Sequence, residues 1–418
     1  MNNQHKGAEM QLLGQFETSF RTPGAAAALR LPFISFGLAR DLRRTDDPSI
    51  DNSPLSAKSG CGDAVVPPGA ISSTADARSI GFYLKAILGQ PLVKKAVMTQ
   101  PANVTGVYIH YAGSAAGAGN GTLAYLIAGT TLSWTPAAGT VGTLINVSAG
   151  GRFTIPGGSA NTEVVVDVDA ASLPVANQND ATINVHATLK AHVFPVTLDD
   201  RPSCLLELGH MKTGQTEFYR YLGGIFSKLS HDVTARDQNI TLTAFAAEER
   251  SADTTPAVTT VWDAAPTSYD RVRFCGSGGK LTNGVNTGFG VVTEASIEID
   301  NQATGLETAD GAEGYGHADN GEVMFGGKAK LVFRGQSAGN LWNLSRTSTS
   351  SRMQVRSSVP TSGGVFSLTY DYPSVEFMPD PIEKSGKTGL FVSCSWKAHR
   401  NVGGTLPMIV LVNDVPSY

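Results

Sequence analysis

The chain has 418 residues, a net charge of −4 and only 16% charged side chains, against 41% apolar residues and 46 glycines. That apolar fraction is enough for real cores and argues against wholesale disorder, and the length suits two or three domains. A protein that grips nucleic acid by its phosphates would show a basic excess, and here the densest basic run, LARDLRRTDD, carries its own acids.

The first residues, MNNQHKGAEMQLLGQF, contain no apolar run of signal-peptide length, and no stretch anywhere has the apolar length of a membrane span. Cys61, Cys204, Cys275 and Cys394 are far apart and form no CxxC pair. The expectation is a soluble chain in a reducing cytosol, with neither a zinc ribbon nor disulfides. A strand reading ALRLPFISFGLAR comes next, then the polar segment Asp41–Ala70. That segment lacks any periodicity, which at roughly 30 residues marks a functional or disordered loop.

The clearest helical signal is ARSIGFYLKAILGQP, Ala77 to Pro91. Ile80, Tyr83, Leu84, Ile87 and Leu88 fall on one stripe of a 3.6-residue turn. Thr74 or Asp76 is placed to cap its start, and Gly89 with Pro91 to stop it. Burying those five side chains contributes roughly 8–15 kcal/mol before conformational entropy is subtracted.

From about Gly113 to Val185 Lys and Arg almost vanish, Arg152 being the only one. Short alternating segments such as Thr162–Val168 are punctuated by Gly-Gly and Pro-Gly turns. This reads as a small inserted β-sandwich, with a long β-hairpin excursion as the alternative. The rest divides into two similar halves, residues 1–112 with 186–252 and residues 253–418, and 113–185 is the insertion. FPVTLDDRPSCLLEL in the first half aligns with FSLTYDYPSVEFM in the second, and Pro202 and Pro373 each predict a bulge or an edge. The helix's counterpart is SAGNLWNLSR, with Leu341, Trp342 and Leu344 as its apolar contacts. The expected class is mainly β with minor α+β. It comprises two tandem β-sandwich or barrel-like modules, each with a flanking helix, plus an inserted small Ig-like β domain.

No catalytic constellation emerges. Histidines 5, 110, 186, 192, 210, 231, 317 and 399 form neither HExxH nor an i, i+4 pair, and they read as surface or strand residues. GSGGKLT, Gly276 to Thr282, lacks the residues and following helix of a phosphate-binding loop and reads as hairpin. The acids Asp46/Asp47, Asp199/Asp200 and Glu248/Glu249 read as solvated turns and a strand end. No residue is assigned a catalytic, cofactor-binding or metal role, no cofactor is expected, and an enzyme is not expected.

FETSFRTPGAAAALRLPFISFGLAR, followed by a polar loop and SIGFYLKAILGQP, resembles the start of the major tail proteins, or tail tube proteins, of long-tailed bacteriophages. Arg21 departs from the family's usual Gly in its E-x-x-[FW]-G-T-P pattern. EFYRYLGGIFSKLSHDVTARDQNITLTAF, VVTEASIEIDNQ and LPMIVLVND resemble later family segments in the same order, and the insertion resembles a β module that some members carry. The resemblance implies a structural virion protein with a self-assembling partner, itself. Rings stack into a hollow tube that conducts DNA, the DNA passing transiently and without specific binding, and no membrane is involved. Two modules per chain imply trimeric, pseudo-hexameric rings, with a hexamer as the alternative. Tail terminator, tape-measure and distal tail proteins are the implied further partners. The implied location is the virion tail, assembled in the host bacterial cytoplasm. A neutral or acidic lumen is expected, with the segment Asp41–Ala70 reaching the next ring and the insertion projecting outward. The rival readings are an adhesin or carbohydrate-binding β protein and, further off, a β-rich glycan enzyme.

Overall fold

A computed structural model describes residues 10–24, 26–45, 61–95, 107–112, 121–126, 131–136, 145–146, 153–156, 163–168, 178–183, 189–196, 201–212, 215–234, 237–253, 267–275, 280–282, 292–307, 314–332, 341–347, 350–361, 364–379, 391–400 and 406–418. The fold is mainly β, as expected, and no closed barrel forms among these residues.

The chain opens with β1 (Met10–Phe16), β2 (Leu29–Leu31), β3 (Ser35–Phe36), β4 (Asp41–Thr45), β5 (Cys61–Val66) and β6 (Pro68–Thr74). Helix α1 (Ile80–Leu88) and β7 (Leu92–Lys95) follow. Next come β8 (Val107–Ala112), β9 (Gly121–Leu126), β10 (Thr131–Pro136), β11 (Ile145–Asn146), β12 (Phe153–Pro156), β13 (Glu163–Val168) and β14 (Gln178–Ile183). Among the described residues these seven pair only with one another, in sheets β11-β10-β9-β14 and β12-β13-β8. β8 lies before the expected start of the insertion at Gly113, yet pairs with β13 along its whole length.

The chain returns with β15 (Lys190–Pro195), β16 (Cys204–Lys212), β17 (Gln215–Thr234), β18 (Gln238–Phe245) and β19 (Glu248–Asp253). Glu248 and Glu249 therefore open a strand, where the sequence suggested that they end one. The remainder holds β20 (Lys280–Thr282), β21 (Val292–Asp300), β22 (Thr304–Glu307), β23 (Tyr315–Asp319) and β24 (Met324–Val332). It continues with α2 (Leu341–Thr347), β25 (Ser351–Thr361), β26 (Gly364–Pro379), β27 (Phe391–Ala398) and β28 (Met408–Asn413). The Lys-Leu-Thr end of GSGGKLT is β20, paired with β25, as suits a β segment.

Two long strands organise the sheets. The second part of β17 lies between β18 and β21, and the order β3-β6-β18-β17-β21-β24-β27-β26 is antiparallel throughout. The first part of β17 belongs to β2-β1-β16-β17-β19. The first part of β26 belongs to β20-β25-β26-β28-β15-β7. β3 and β6 keep one register into β4 and β5, so the ends of the polar segment Asp41–Ala70 form an antiparallel ribbon where a loop was expected. β21 and β24 lead on into the ribbon β22–β23, whose pairing is shifted by one residue.

The likeness between early and late strands is not the alignment the sequence suggested. β17 matches β26, whereas β15 and β16 were expected to. Each is the second arm of a hairpin, β16–β17 or β25–β26, and each carries a bulge near the far end of that hairpin. Cys204 faces Gly224 and Leu206 faces Tyr221, while Ser351 faces Val375 and Met353 faces Tyr372. Two residues oppose one in both cases, Leu222 and Gly223 against Leu205 and Pro373 and Ser374 against Arg352, so the long strand bends. Pro373 sits in one bulge, as its missing N–H requires, and Gly223, at φ 62, in the other. The sequences then align as YRYLGGIF (219–226) and YDYPSVEF (370–377). Helix α1 packs on β17 and β15, and α2 on β26 and β27.

Both long strands also bury an ion pair with the strand beside them. Arg220 Nε meets Glu207 Oε2 at 3.1 Å, while Arg352 Nε and Nη2 meet the Asp371 carboxylate at 2.9 and 2.8 Å. Arg220 and Asp371 occupy matching places with opposite charge.

Helix α1 shows how far a stripe falls short of describing burial. All five stripe residues are at most 2% exposed, but Phe82 and Ala86 are buried too. Phe82 stacks on Phe16 with ring centroids 4.5 Å apart, and Tyr83 meets Phe226 edge-on at 5.7 Å. The N-cap falls on Ser79, later than either expected cap and without a side-chain capping bond; Asp76 closes the turn before it, its Oδ2 accepting the Ser79 N–H at 3.0 Å and its Oδ1 that of Val272 at 2.6 Å. Gly89, at φ 97, ends the helix and returns its N–H to the Lys85 carbonyl.

The segment after β28 clasps this helix. Arg78 chelates Asp414 at 2.7 and 2.6 Å, Lys85 Nζ donates to the Tyr418 carbonyl at 2.6 Å, and the Tyr418 ring lies directly on Gly81. Of the expected contacts of α2, Leu344 packs on the core; the side chains of Leu341 and Trp342 lie outside the described residues.

Candidate functional site

The eight-strand sheet β3-β6-β18-β17-β21-β24-β27-β26 has one face in the core and one in solvent. Strand β18 shows the cause, alternating buried Gln238, Ile240, Leu242 and Ala244 with exposed Asn239, Thr241 and Thr243. Cross-strand partners share a face, so the register maps the outer surface directly. One row reads Ser72, Thr241, Ser230, Glu298, Gly326, Lys397 and Glu376 across seven strands. The next reads Thr74, Asn239, Asp232, Ser296, Lys328, Ser395 and, on β26, the exposed Met378. Small hydroxyl and amide side chains cover β6 and β18, and charges cover the strands after them.

Those charges are nearly balanced and arranged in bands. Carboxylates of Asp232, Glu294, Glu298 and Asp300 occupy β17 and β21, and the ammonium groups of Lys328, Lys330 and Lys397 occupy β24 and β27. Lys228 stands at the acidic side and pairs with Glu298 at 2.9 Å. Partial burial raises the Asp232 carboxyl above its ordinary range, and neighbouring Glu298 and Glu294 push it further the same way. A shallow groove of about 580 Å³ runs between the bands, with Asp232 and Glu294 on one wall and Lys328 and Lys330 on the other. Such a face offers DNA phosphates no continuous cationic track.

Beneath this face the core is bridged by a polar chain. His231 Nδ1 lies 2.9 Å from the Tyr370 hydroxyl, and His231 Nε2 lies 3.2 Å from Gln238 Oε1, which also accepts from Ser357 at 2.9 Å. Burial drives His231 down to about 4, so the ring is neutral and accepts from Tyr370 through Nδ1. His192, also fully buried, is lowered by desolvation and lies 2.9 Å from the Val415 carbonyl. Both rings are on strands, as expected, but in the core. A buried histidine amid alternating residues gives no sequence sign of the partner it will meet. His399 is at the surface near Glu376, and His5 and His186 lie outside the described residues.

Among the described residues no group of three His, Cys, Asp or Glu side chains is placed to hold a metal. No helix there is long and apolar enough to cross a membrane. Cys204 and Cys394 are buried and Cys275 is exposed.

Residues 205–398, from β16 to the end of β27 and just under half of the chain, match the family model described as phage tail tube protein. No curated protein matches the chain. The resemblance read from the sequence thus holds over residues 205–398, where the chain is similar to phage tail tube proteins, structural components of the virion tail.

Proposed function

We propose that the chain self-assembles into rings that stack as the hollow phage tail tube, with the polar face of the eight-strand sheet lining the bore through which DNA passes. The observation that carries this reading is the division of that sheet's faces. The inner face is filled by the core and flanked by helices, while the outer is a largely polar surface of nearly balanced charge, interrupted by the exposed Met324 and Met378. DNA beside such a surface slides without being held.

The sheet also divides into matching sets of four strands, β3-β6-β18-β17 and β21-β24-β27-β26, each beginning with a ribbon that leads to a helix. Two tandem modules, residues 1–112 with 186–252 and residues 253–418, account for that. Three chains then supply six equivalent walls. The ribbon β4–β5 is placed to reach the next ring, and the insertion projects from the wall as a decoration. Electron microscopy of the purified protein tests the reading. Tubes or rings with three copies per turn are expected, strict six-fold rings of six copies would replace the trimer, and a persistent monomer would overturn the tube.

A further inference from the structure

Among the described residues only two that are not glycine have a left-handed backbone, Arg21 at φ 65 and Gln302 at φ 51. Both flank the ribbon β22–β23. Such residues cost backbone free energy and collect at sites that clamp or switch.

Gln302 stands where β21 ends and the ribbon begins. Its N–H donates to Asp300 Oδ1 at 2.8 Å, and the fully buried Asn301 donates its side-chain amide to the Phe226 carbonyl at 2.9 Å. On the returning strand Gly321 lies against Gln302, where a Cβ would come within 2.8 Å of the Gln302 Cβ. Residues 301–303 and 320–323 pair neither with the sheet nor with the ribbon. The ribbon thus joins the sheet through a narrow kink.

The ribbon rests on the other set of strands. Ala303 and Ala318 pack with Ile225 of β17, beside Phe20 and Phe245. Tyr315 meets Phe245 edge-on at 5.4 Å, and His317 meets Phe20 at 6.2 Å. Two of the three buried side chains in this seat are alanines, so opening it exposes little apolar area. The second set has no matching seat. Ile225 faces Phe245, whereas at the matching places Glu376 faces Lys397.

The loop after β1 reaches the ribbon beside this seat. Glu17 accepts the N–H of Arg21 at 3.0 Å, the N–H of Gly223 in the β17 bulge at 2.8 Å, and the Ser203 hydroxyl at 2.5 Å. Held in this way, the Arg21 guanidinium lies 5.9 Å over the Phe20 ring and donates to the Tyr315 carbonyl. Glycine would take φ 65 more easily, but it could not make that contact.

We propose that β22–β23 is a hinged arm, seated on Ile225 and Phe245 and latched by Arg21, which swings about Gln302 and Gly321 when the latch is released. The device belongs to the single chain and does not depend on the tube reading. Phe245 continues the outward row of Thr241 and Thr243 on β18, so opening uncovers an apolar spot at the end of the polar face.

Thiol labelling of the full chain with dithionitrobenzoate tests it, with Cys61 and Cys275 changed to Ser. Ala318→Cys reports the seat, and Ala329→Cys, 1% exposed on β24, reports the core. Arg21→Gly and Arg21→Ala should each speed labelling at position 318 by about fivefold or more, and leave position 329 within about twofold. Arg21→Gly also relieves the backbone, so its urea midpoint should lie above that of Arg21→Ala. Circular dichroism confirms that each variant is folded, and Ala303→Cys serves as reporter if Ala318→Cys is not. Unchanged labelling at the seat in both Arg21 variants overturns the latch. Equal acceleration at the seat and in the core overturns the arm, because the whole chain is then opening.

Discussion

His231 on β17 and Tyr370 on β26 meet at 2.9 Å in the middle of the core, both at most 1% exposed. The contact ties the two long strands together, and it holds only while the imidazole is neutral. With a folded value of about 4, His231 binds its proton less readily than in the unfolded chain, whose ordinary value is near 6.5. Its contribution is complete above about pH 6.5 and is lost as pH falls towards 4, by roughly 3 kcal/mol in all. Thermal melts of the protein and of His231→Gln should show this. The midpoint of the parent should fall more steeply between pH 6.5 and 4.5, although the variant is the less stable at pH 7. Parallel slopes would remove His231 from the acid response.

Gly81 and Tyr418 make a second test. A Cβ at position 81 would stand 2.3 Å from the Tyr418 ring, too close for any packing. Gly81→Ala gains about 1 kcal/mol of helix propensity but displaces the ring, an overpacking cost of about 1–3 kcal/mol. The net expectation is destabilisation by about 1 kcal/mol. In a Tyr418→Ala background the same substitution should stabilise instead, a change of sign readable by urea titration.

Glu207 is 1% exposed beside Arg220, so neutralising it leaves a guanidinium without its counter-charge in the core. Glu207→Gln should lower stability by about 3 kcal/mol, since breaking one side of a buried pair leaves an uncompensated charge. Replacing both residues by Leu and Met should be far milder, as the desolvation penalty disappears with the charges. Denaturant midpoints of the two variants decide between these outcomes.

For the polar sheet face, Glu294→Lys with Glu298→Lys would join the acidic band to the lysines of β24. Assembled variant particles should retain DNA at low salt and release it as salt rises, while the parent retains little at either. Filter binding against salt concentration reads this directly.

The insertion can be removed at the boundaries its own pairing gives. Deleting residues 107–183 with a short Gly-Ser join takes out strands that, among the described residues, pair only with each other. Tubes of normal length in electron micrographs are expected. Loss of polymerisation would mean that the insertion belongs to the wall.

Local chemistry made much of this molecule legible in advance. The spacing of Ile80, Tyr83, Leu84, Ile87 and Leu88 placed α1, Gly89 ended it because only Gly accepts that backbone freely, and Pro373 marked a bulge because it has no N–H to give. All of these depend on neighbours within a few residues. Alternation leaves open which strand lies at which edge, because every β edge presents the same backbone groups. Hence the likeness of β17 to β26, the meeting of His231 with Tyr370, and the sharing of Asp232, Glu298 and Lys328 on one surface emerged only from long-range pairing. The amino-acid sequence by itself determined strands, turns and one buried helix; the tertiary structure decided which edges are filled and which remain open.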